Sequence, residues 1–316
     1  MDRLAYRQKI SGNFLALPTP FNADFSLDLP ALRRQVRRLI TAGYRTGNGI
    51  FLVGGAAGEF HTLRTSERKQ IAEIVVEESG GHVPVVVGAQ STSGLVMLEL
   101  ARFAAGIGAD GIQVSPPYYE PASTDDVFEL YKRISDAVDI PMVVYNTWWT
   151  GTNADLGYEQ TARLLEIANV GALKWSASRP SDYETVLRDF SSRIPIIDNH
   201  ICKVFSHMLG ATSFTSHPPL AWPEWGLVLW ECLKQQRYVE ATEMLKQFRM
   251  PWYHLFFKIY AYTGSESVFD KAILELIGEP VGLPRPPARP LTPKLRDQVR
   301  QMLVEAGVPG VRQGTA

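Results

Sequence analysis

The chain has 316 residues, of which 45% are apolar, and it carries a formal net charge of −1 with a pI near 6.6. This apolar content is enough to bury a large core, either as one α/β barrel or as two ordinary domains, and the length is sufficient for an enzyme. Because the charge is nearly balanced, there is no basic field to attract nucleic acid or an anionic membrane surface, so a small-molecule partner is expected.

Cysteine usage and the first residues indicate the compartment. The only cysteines, Cys202 and Cys232, have no CxxC spacing, so neither a disulfide framework nor a zinc knuckle is predicted. Residues 1–12 are polar and charged without the apolar centre of a secretory signal, and no later apolar run has the length of a membrane span. We therefore expect a cytoplasmic protein with no membrane association.

Apolar runs of strand length alternate with helical patterns through most of the chain. The first strand is predicted within 13–21, where prolines close an apolar stretch, and the first helix over 28–43. Further strands are predicted at 49–55, 84–88, 111–115, 141–145, 170–176, 194–197 and 211–216, and further helices at 65–78, 95–106, 125–137, 158–167, 181–190, 201–209 and 222–235.

About eight strand–helix repeats of roughly 30 residues match an α/β fold of the (β/α)₈ TIM barrel type. A doubly wound open sheet is the alternative, but no GxGxxG sequence follows the first strand. Beyond the barrel only helices are predicted, at 239–248, 252–262, 268–277 and 293–306, with a proline-rich spacer at 284–290. The predicted domains are thus a barrel over 1–236 and a C-terminal helical extension over 237–316.

Lys174, in the sixth predicted strand, interrupts a buried-type apolar run. Lysine is almost never fully buried without a partner, and no carboxylate is close to it in the sequence. Desolvation disfavours the ammonium form, and a neutral amine can attack a carbonyl to form a Schiff base. A lysine at a strand end that reaches water is the alternative that this segment leaves open.

The carboxyl ends of barrel strands are where chemistry is expected. The second strand leads into the glycine-rich loop 54–60, whose backbone N–H groups suit a carboxylate or phosphate. Alternation along the fifth and sixth strands places Tyr145 and Lys174 inward and side by side, where a phenol can move protons for an amine. A core tyrosine with a satisfied hydroxyl is the alternative.

Two histidines and a carboxylate also follow strands. Asp198 and His200 close the seventh strand and His217 the eighth, so they are candidates for acid–base work at the barrel mouth. Histidines bonded to the backbone are the default interpretation, and a metal site made by the three residues is a less favoured alternative.

Four short motifs occur in the order and roughly the spacing of one enzyme family. They are Gly55-x-x-Gly58-Glu59, Tyr118-Tyr119, Tyr145-Asn146, and Lys174 following Gly171. With these motifs the chain resembles the dihydrodipicolinate synthase and N-acetylneuraminate lyase family of pyruvate-dependent class I aldolases, over about residues 12–307.

The resemblance implies a Schiff base between Lys174 and the keto carbon of a 2-oxo acid, usually pyruvate, with an aldehyde as the second partner. Tyr145 would be the proton shuttle, and Tyr119 would reach the site of a neighbouring subunit in a homotetramer built as a dimer of dimers. The substrate carboxylate would be held by Gly55, Ala56, Ala57 and Gly58. Neither a metal nor an organic cofactor is implied.

The chain departs from the family pattern at two places. Ala56 and Ala57 stand where the family usually has two hydroxyl residues, and the segment 147–151 lacks the arginine with which the synthases hold their second substrate. A true dihydrodipicolinate synthase is therefore not favoured. Trp148, with Trp149 beside it, suggests a bulkier or more apolar acceptor, and His200 and His217 are further candidates for substrate binding.

The first functional hypothesis is a Schiff-base aldolase or lyase that makes or breaks a carbon–carbon bond next to a 2-oxo acid. A dehydratase or deaminase of a deoxy-keto acid is an alternative within the same chemistry. An alternative of another class is a barrel that binds a ligand without turnover, motivated by Ala56 and Ala57. It is less favoured because both Lys174 and Tyr145 are present.

Overall fold

A closed barrel with its strands in chain order is the centre of the fold in the computed structural model, which describes residues 2–120, 122–150 and 155–312. The predicted (β/α)₈ barrel with a C-terminal helical part is therefore confirmed. Its strands are β1 Gly12–Ala16, β2 Gly49–Val53, β3 Val85–Gly88, β4 Gly111–Val114, β5 Met142–Tyr145, β6 Val170–Trp175, β7 Ile196–Asp198 and β8 Ser213–Thr215.

The strands are buried almost throughout, which is why they read as continuous apolar runs. β-branched residues such as those of β3, Val85–Gly88, fit this pleated and enclosed surface. Parallel pairing of β5 with β6 sets Val144 opposite Leu173 and Tyr145 opposite Lys174. The register thus brings the one lysine of β6 beside the one tyrosine of β5.

Helices precede, separate and follow the strands. The helices up to the last strand are α1 Arg3–Lys9, α2 Leu29–Thr41, α3 Thr65–Ser79, α4 Gly94–Gly106, α5 Thr124–Ala137, α6 Gly157–Leu164, α7 Pro180–Phe190 and α8 Lys203–Met208, with short 3₁₀ turns at Phe60–Thr62 and Trp148–Thr150. The remaining helices are α9 Pro218–Ala221, α10 Pro223–Lys234, α11 Tyr238–Met244, α12 Met250–Thr263, α13 Ser267–Leu276 and α14 Pro293–Glu305.

Helix α1 was not predicted from the polar N-terminal segment. It is fixed by tertiary contacts: the Arg3 guanidinium donates to the backbone oxygens of Leu165, Ile167 and Val170 at 2.6–2.9 Å. These acceptors lie more than 160 positions away along the chain, so periodicity within the segment carries no sign of them.

The predicted separation of helices 239–248 and 252–262 is wrong, because helical structure continues between them. A π-helical segment, Leu245–Arg249, joins α11 to α12, and Pro251 falls in the first turn of α12. Proline cannot donate to the preceding turn, and a π segment changes the hydrogen-bond spacing where that donor would be needed. The helix therefore accommodates the proline instead of ending there.

The chain forms two compact units. One consists of Met1–Phe14, Arg45–Leu52 and Gly81–Thr215, and the other of Leu15–Tyr44, Val53–Gly80 and Ser216–Ala316. The proposed domain boundary after residue 236 stays a prediction. Within the described residues, no helix combines the length and apolar character needed to cross a membrane.

Candidate active site

The amine of Lys174 is enclosed by aromatic rings. The residue is 5% exposed, and its Nζ lies 4.0 Å from the centre of the Tyr145 ring and 5.3 Å from that of Phe14. A cation over an aromatic face is attracted by the ring, but the rings also keep water away. The alternative of a strand-end lysine reaching bulk water is therefore wrong, and the predicted placement of Tyr145 beside Lys174 is confirmed.

The phenol of Tyr145 accepts a hydrogen bond from a residue that the sequence analysis did not assign to the site. The Nδ2 of Asn199, one residue beyond β7, donates to the Tyr145 Oη at 3.1 Å. Tyr145 is 8% exposed, and its ring centre lies 6.4 Å from that of Trp149. Trp149 therefore lies beside the phenol. The tryptophan predicted to bind substrate was its neighbour, Trp148.

Asn146 fastens the end of β5. Its Nδ2 donates to Asp155 Oδ1 at 2.7 Å and to the Ser176 oxygen at 2.8 Å, while its Oδ1 accepts from the Leu156 nitrogen at 3.2 Å. Burial raises the pKa of Asp155, but hydrogen bonds from Ser178 and Asn146 outweigh this effect and hold the pKa below its usual value. The Tyr-Asn motif therefore joins the ends of β5 and β6 and fixes Tyr145 next to Lys174.

Asp198 belongs to a buried ion pair at the end of β7. Its Oδ2 lies 3.1 Å from Lys203 Nζ, and its Oδ1 accepts from the Tyr183 hydroxyl at 2.7 Å and from the His200 nitrogen at 2.9 Å. Burial and the neighbouring carboxylate raise the pKa of Tyr183. Asp198 thus stabilises the end of β7 through these contacts. Its ion-pair partner Lys203, five positions later in the chain, was not predicted from the sequence.

The two candidate histidines have separate surroundings. The His200 ring lies 5.0 Å from that of Tyr183. His217 Nδ1 lies 2.8 Å from Asp270 Oδ2, and its ring stacks on Trp252 at 4.9 Å. Among the described residues, no group of three or more His, Cys, Asp or Glu side chains is arranged to hold a metal, so the alternative metal site formed with Asp198 is not found there. The substrate-binding roles of His200 and His217 stay predictions.

The glycine-rich loop after β2 is tightly packed. A side chain at Gly58 would place its Cβ 3.0 Å from the Leu17 oxygen, and Thr19 Oγ1 donates to the Gly58 oxygen at 2.6 Å. Ala57 is fully buried and Ala56 half-buried. Glu59, which follows, adopts a left-handed conformation with φ of 56° and returns its N–H to the Ala56 oxygen at 2.9 Å. The loop is thus closed on itself by the residue at its end.

Glu59 is held by a second buried ion pair. Its Oε1 lies 2.7 Å from Lys271 Nζ in α13, and its Oε2 accepts a hydrogen bond from the backbone nitrogen of Arg285 at 2.9 Å. Lys271 also donates to the Leu283 oxygen at 3.2 Å. Burial is the main cause that lowers the pKa of Lys271 to about 8, against the opposing effect of Glu59. Glu59 was noted as part of a motif, but its partners more than 200 residues away gave no signal in the sequence.

Titration of Lys271 is expected to make stability depend on pH. Its folded-state pKa of about 8 is below the ordinary 10.5, so between these values the unfolded chain binds more protons than the folded chain. The free energy of unfolding contributed by this amine therefore rises with pH across that window. We expect the wild type to gain stability relative to Lys271→Met between pH 8 and 10.5, measured by urea unfolding, and a flat or falling difference would contradict this.

Tyr119 and Trp148 lie on the loops after β4 and β5. Tyr119 is 83% exposed and has φ of 95°, a strained value for a residue with a Cβ. Trp148 is half-buried, and its indole Nε1 has no hydrogen-bond partner among the residues that the structure describes. Gly151, at the end of the segment that lacks the synthase arginine, lies outside the described residues. The functional roles of Tyr119 and Trp148 stay predictions.

Comparison with known proteins shows the family. The profile of the Dihydrodipicolinate synthetase family matches residues 9–306. A 4-hydroxy-tetrahydrodipicolinate synthase 1 from Halalkalibacterium halodurans is 31% identical over 62% of this chain and 69% of its own. The 4-hydroxy-tetrahydrodipicolinate synthase of Methanopyrus kandleri is 29% identical over 95% of this chain and 97% of its own.

Solved structures share the fold. YagE, a prophage protein of E. coli K12 from the dihydrodipicolinic acid synthase family that was solved in complex with pyruvate, superposes with a TM-score of 0.84 at 24% identity, covering 94% of this chain and 99% of its own. Because the family profile covers nearly the whole chain, and because the barrel carries Lys174 beside Tyr145, this protein belongs to the dihydrodipicolinate synthetase family.

Proposed function

We propose that this protein is a class I lyase that forms a Schiff base between Lys174 and a 2-oxo acid such as pyruvate, with an aldehyde as the second partner. The single observation that carries the proposal is the buried Lys174 amine 4.0 Å from the Tyr145 ring on the adjacent strand. A desolvated amine is a better nucleophile than a hydrated ammonium, and a phenol beside it is a general acid and base.

The proposed reaction begins with attack of the neutral Lys174 nitrogen on the keto carbon, while Tyr145 gives its proton to the keto oxygen. A proton of the new C–N⁺ group returns to the phenolate, which leaves a neutral carbinolamine. Tyr145 then protonates the departing hydroxyl, so water leaves and an iminium forms. The phenolate removes a proton from the adjacent carbon to give an enamine, which can add to an aldehyde.

Substrate recognition is proposed to use the backbone of the loop after β2. With Ala56 and Ala57 in place of hydroxyl residues, the substrate carboxylate would be held by main-chain N–H groups of Gly55 to Gly58. Trp148, His200 and His217 are proposed to contact the rest of the substrate. Tyr119, exposed on its loop, is proposed to reach the site of a second copy in a homotetramer. The protein is proposed to be cytosolic.

We do not propose the second substrate of a true dihydrodipicolinate synthase, because the segment after β5 carries Trp148 and Trp149 and no arginine. A dehydratase or deaminase of a deoxy-keto acid remains the second candidate, since the same enamine can expel water or ammonia instead of adding to an aldehyde. Product analysis separates the two: an aldolase releases pyruvate and an aldehyde, whereas a dehydratase releases a single dehydrated product.

Reductive trapping tests the proposal directly. Borohydride added with each of a panel of 2-oxo acids should leave a mass increase of one reduced adduct on the intact chain, mapped by peptide analysis to Lys174. If no 2-oxo acid of the panel gives an adduct, the Schiff-base function is wrong and a binding barrel without turnover is favoured.

Replacement of the proposed proton shuttle gives a second prediction. Tyr145→Phe should lower kcat by roughly 10²–10⁴, the range typical for a positioned acid–base group, because the ring and its contact with Lys174 remain while the exchangeable proton is lost. Steady-state kinetics with the best trapped substrate would measure it. A rate equal to that of the wild type would remove Tyr145 from the mechanism.

A further inference from the structure

Asn199 is fixed in position by its strand and directs a donor at the phenol. Its backbone nitrogen donates to the Trp175 oxygen at 2.8 Å, which continues the pairing of β7 with β6 one residue past the strand end. The residue before it, Asp198, is fully buried and tied to Lys203 and Tyr183. Asn199 therefore has a well-defined backbone from which its Nδ2 meets Tyr145 Oη at 3.1 Å.

We propose that Asn199 is a positioning residue for the reaction, one that holds the Tyr145 oxygen as a hydrogen-bond acceptor and supports the phenolate that forms during proton transfer. This inference rests on the proposed Schiff-base function. It concerns a residue to which neither the family resemblance nor the sequence motifs assign a role.

The direction of the hydrogen bond carries the argument. An amide NH₂ group can only donate, so Tyr145 Oη is the acceptor and its own proton points elsewhere. A phenolate forms at two steps of the proposed reaction, after protonation of the keto oxygen and after protonation of the departing hydroxyl. A hydrogen bond to an ionised acceptor is stronger than one to its neutral form, so Asn199 stabilises the charged state that the reaction needs.

The ionisable groups around this pair do not oppose the phenolate. Lys174 Nζ, on β6, lies 4.0 Å from the Tyr145 ring centre, and in the proposed reaction this nitrogen gains positive charge in the same steps in which the phenolate forms. On the Asn199 side, Asp198 and Lys203 form an ion pair with each other, and His200 is the following residue. Asn199 is thus a neutral donor to the reacting phenol, and the carboxylate that precedes it in the chain is already balanced by Lys203.

The test uses Asn199→Asp, which keeps the shape of the side chain but replaces the donor with an ionised acceptor next to the phenol oxygen. We expect kcat to fall by roughly 10- to 100-fold, with KM changed by less than about threefold, because the substrate contacts are proposed to lie elsewhere. We expect one limb of the pH–rate profile to report Tyr145 and to be absent from Tyr145→Phe. In Asn199→Asp that limb should move to higher pH, since a negative neighbour opposes loss of the phenol proton. A merely structural residue would not move that limb.

Two further variants separate the outcomes. Asn199→Ala removes the donor without adding a charge, so kcat should fall less, and the same pH limb should shift less, than in Asn199→Asp. Asn199→Gln keeps an amide donor, so its kcat and its pH limb should lie closer to those of the wild type than those of Asn199→Ala do. Circular dichroism and thermal unfolding identify the variants that fold. If Asn199→Asp does not fold, Asn199→Ala decides the question by the same two readouts.

Adduct trapping distinguishes the failure of this inference from the failure of the proposed function. Wild type that gives no borohydride adduct overturns both. Wild type that gives the adduct, together with folded Asn199 variants whose kcat and pH profile match it, overturns the role of Asn199 alone. Variants that still trap the adduct but turn over slowly, with the displaced pH limb, support the inference.

Discussion

Replacement of Lys174 by alanine is expected to abolish both turnover and the borohydride-trapped adduct. The proposed reaction passes through a covalent bond to this nitrogen, and the ring contacts of Lys174 with Tyr145 and Phe14 place its amine beside the proposed proton shuttle. Without the nucleophile, the remaining groups can only bind and polarise the substrate, so kcat should fall by at least roughly 10⁴-fold. Intact-mass analysis and steady-state kinetics on the same preparation measure the two effects.

The control for packing is Lys174→Met, which nearly preserves the side-chain volume. Lys174→Ala leaves space beside the Tyr145 and Phe14 rings, whereas methionine fills it, so the two variants differ in core packing but not in the loss of the amine. Both should be equally inactive and both should remain folded by circular dichroism. Activity in either one would show that the nitrogen of Lys174 is dispensable.

Other buried lysines provide an internal control for the mapping. Lys203 and Lys271 are as deeply buried as Lys174, but each lies against a carboxylate, at 3.1 Å from Asp198 and 2.7 Å from Glu59. A carboxylate contact opposes loss of the ammonium proton and occupies the amine, although burial still lowers the pKa of Lys271 to about 8. The peptides that contain these two lysines should therefore carry no adduct, and an adduct on either of them in Lys174→Ala would contradict the assignment.

The barrel and the pairing of Lys174 with Tyr145 could be predicted because both depend on short-range rules. Alternating strand and helix patterns determine the repeat, and the two-residue period of a strand determines which side chains face inward. Because strands that are consecutive in the chain are neighbours in the barrel, the two strand ends align, and Tyr145 pairs with Lys174. The positions of strands and helices depend on the same local periodicities.

The supporting contacts could not be predicted because they depend on side chains beyond the strand ends. Asn199 and Tyr145 are 54 positions apart, and no periodicity fixes which way an amide turns after its strand stops. The pairing of His217 with Asp270 could not be predicted for the same reason, since Asp270 lies on α13 and no local pattern indicates that this helix packs against His217. Asp198 and Lys203, by contrast, are close in sequence, and their opposite charges were a signal that could have been used.

The second large effect is expected at the buried pair of Glu59 and Lys271. Both side chains are at most 3% exposed, and their charges lie 2.7 Å apart. Removal of one member of a buried pair leaves the other charge without compensation, so Lys271→Met should lower the free energy of unfolding by about 3–5 kcal/mol. Urea unfolding near pH 7, where Lys271 with its pKa of about 8 is mostly charged, measures the loss.

A double-mutant cycle tests whether the loss comes from the stranded charge. Glu59→Gln in the Lys271→Met background removes the uncompensated carboxylate, so the double variant should be more stable than the sum of the single losses predicts. Glu67→Gln is the matched control, because its ion pair with Arg285 at 2.6 Å is partly exposed and should contribute only about 1 kcal/mol or less. Equal losses from Lys271→Met and Glu67→Gln would contradict the assignment of a buried pair.

The same pair should also influence substrate binding, because Glu59 ends the loop that is proposed to hold the carboxylate. The backbone N–H of Glu59 donates to the Ala56 oxygen and closes the loop. The Glu59 side chain is held by Lys271 and by the backbone nitrogen of Arg285. A loosened loop must be ordered when the substrate binds, so Lys271→Met that remains folded should show a higher KM for the 2-oxo acid with kcat less affected. An unchanged KM in a folded but destabilised variant would confine Lys271 to stability and separate the ion pair from the carboxylate site.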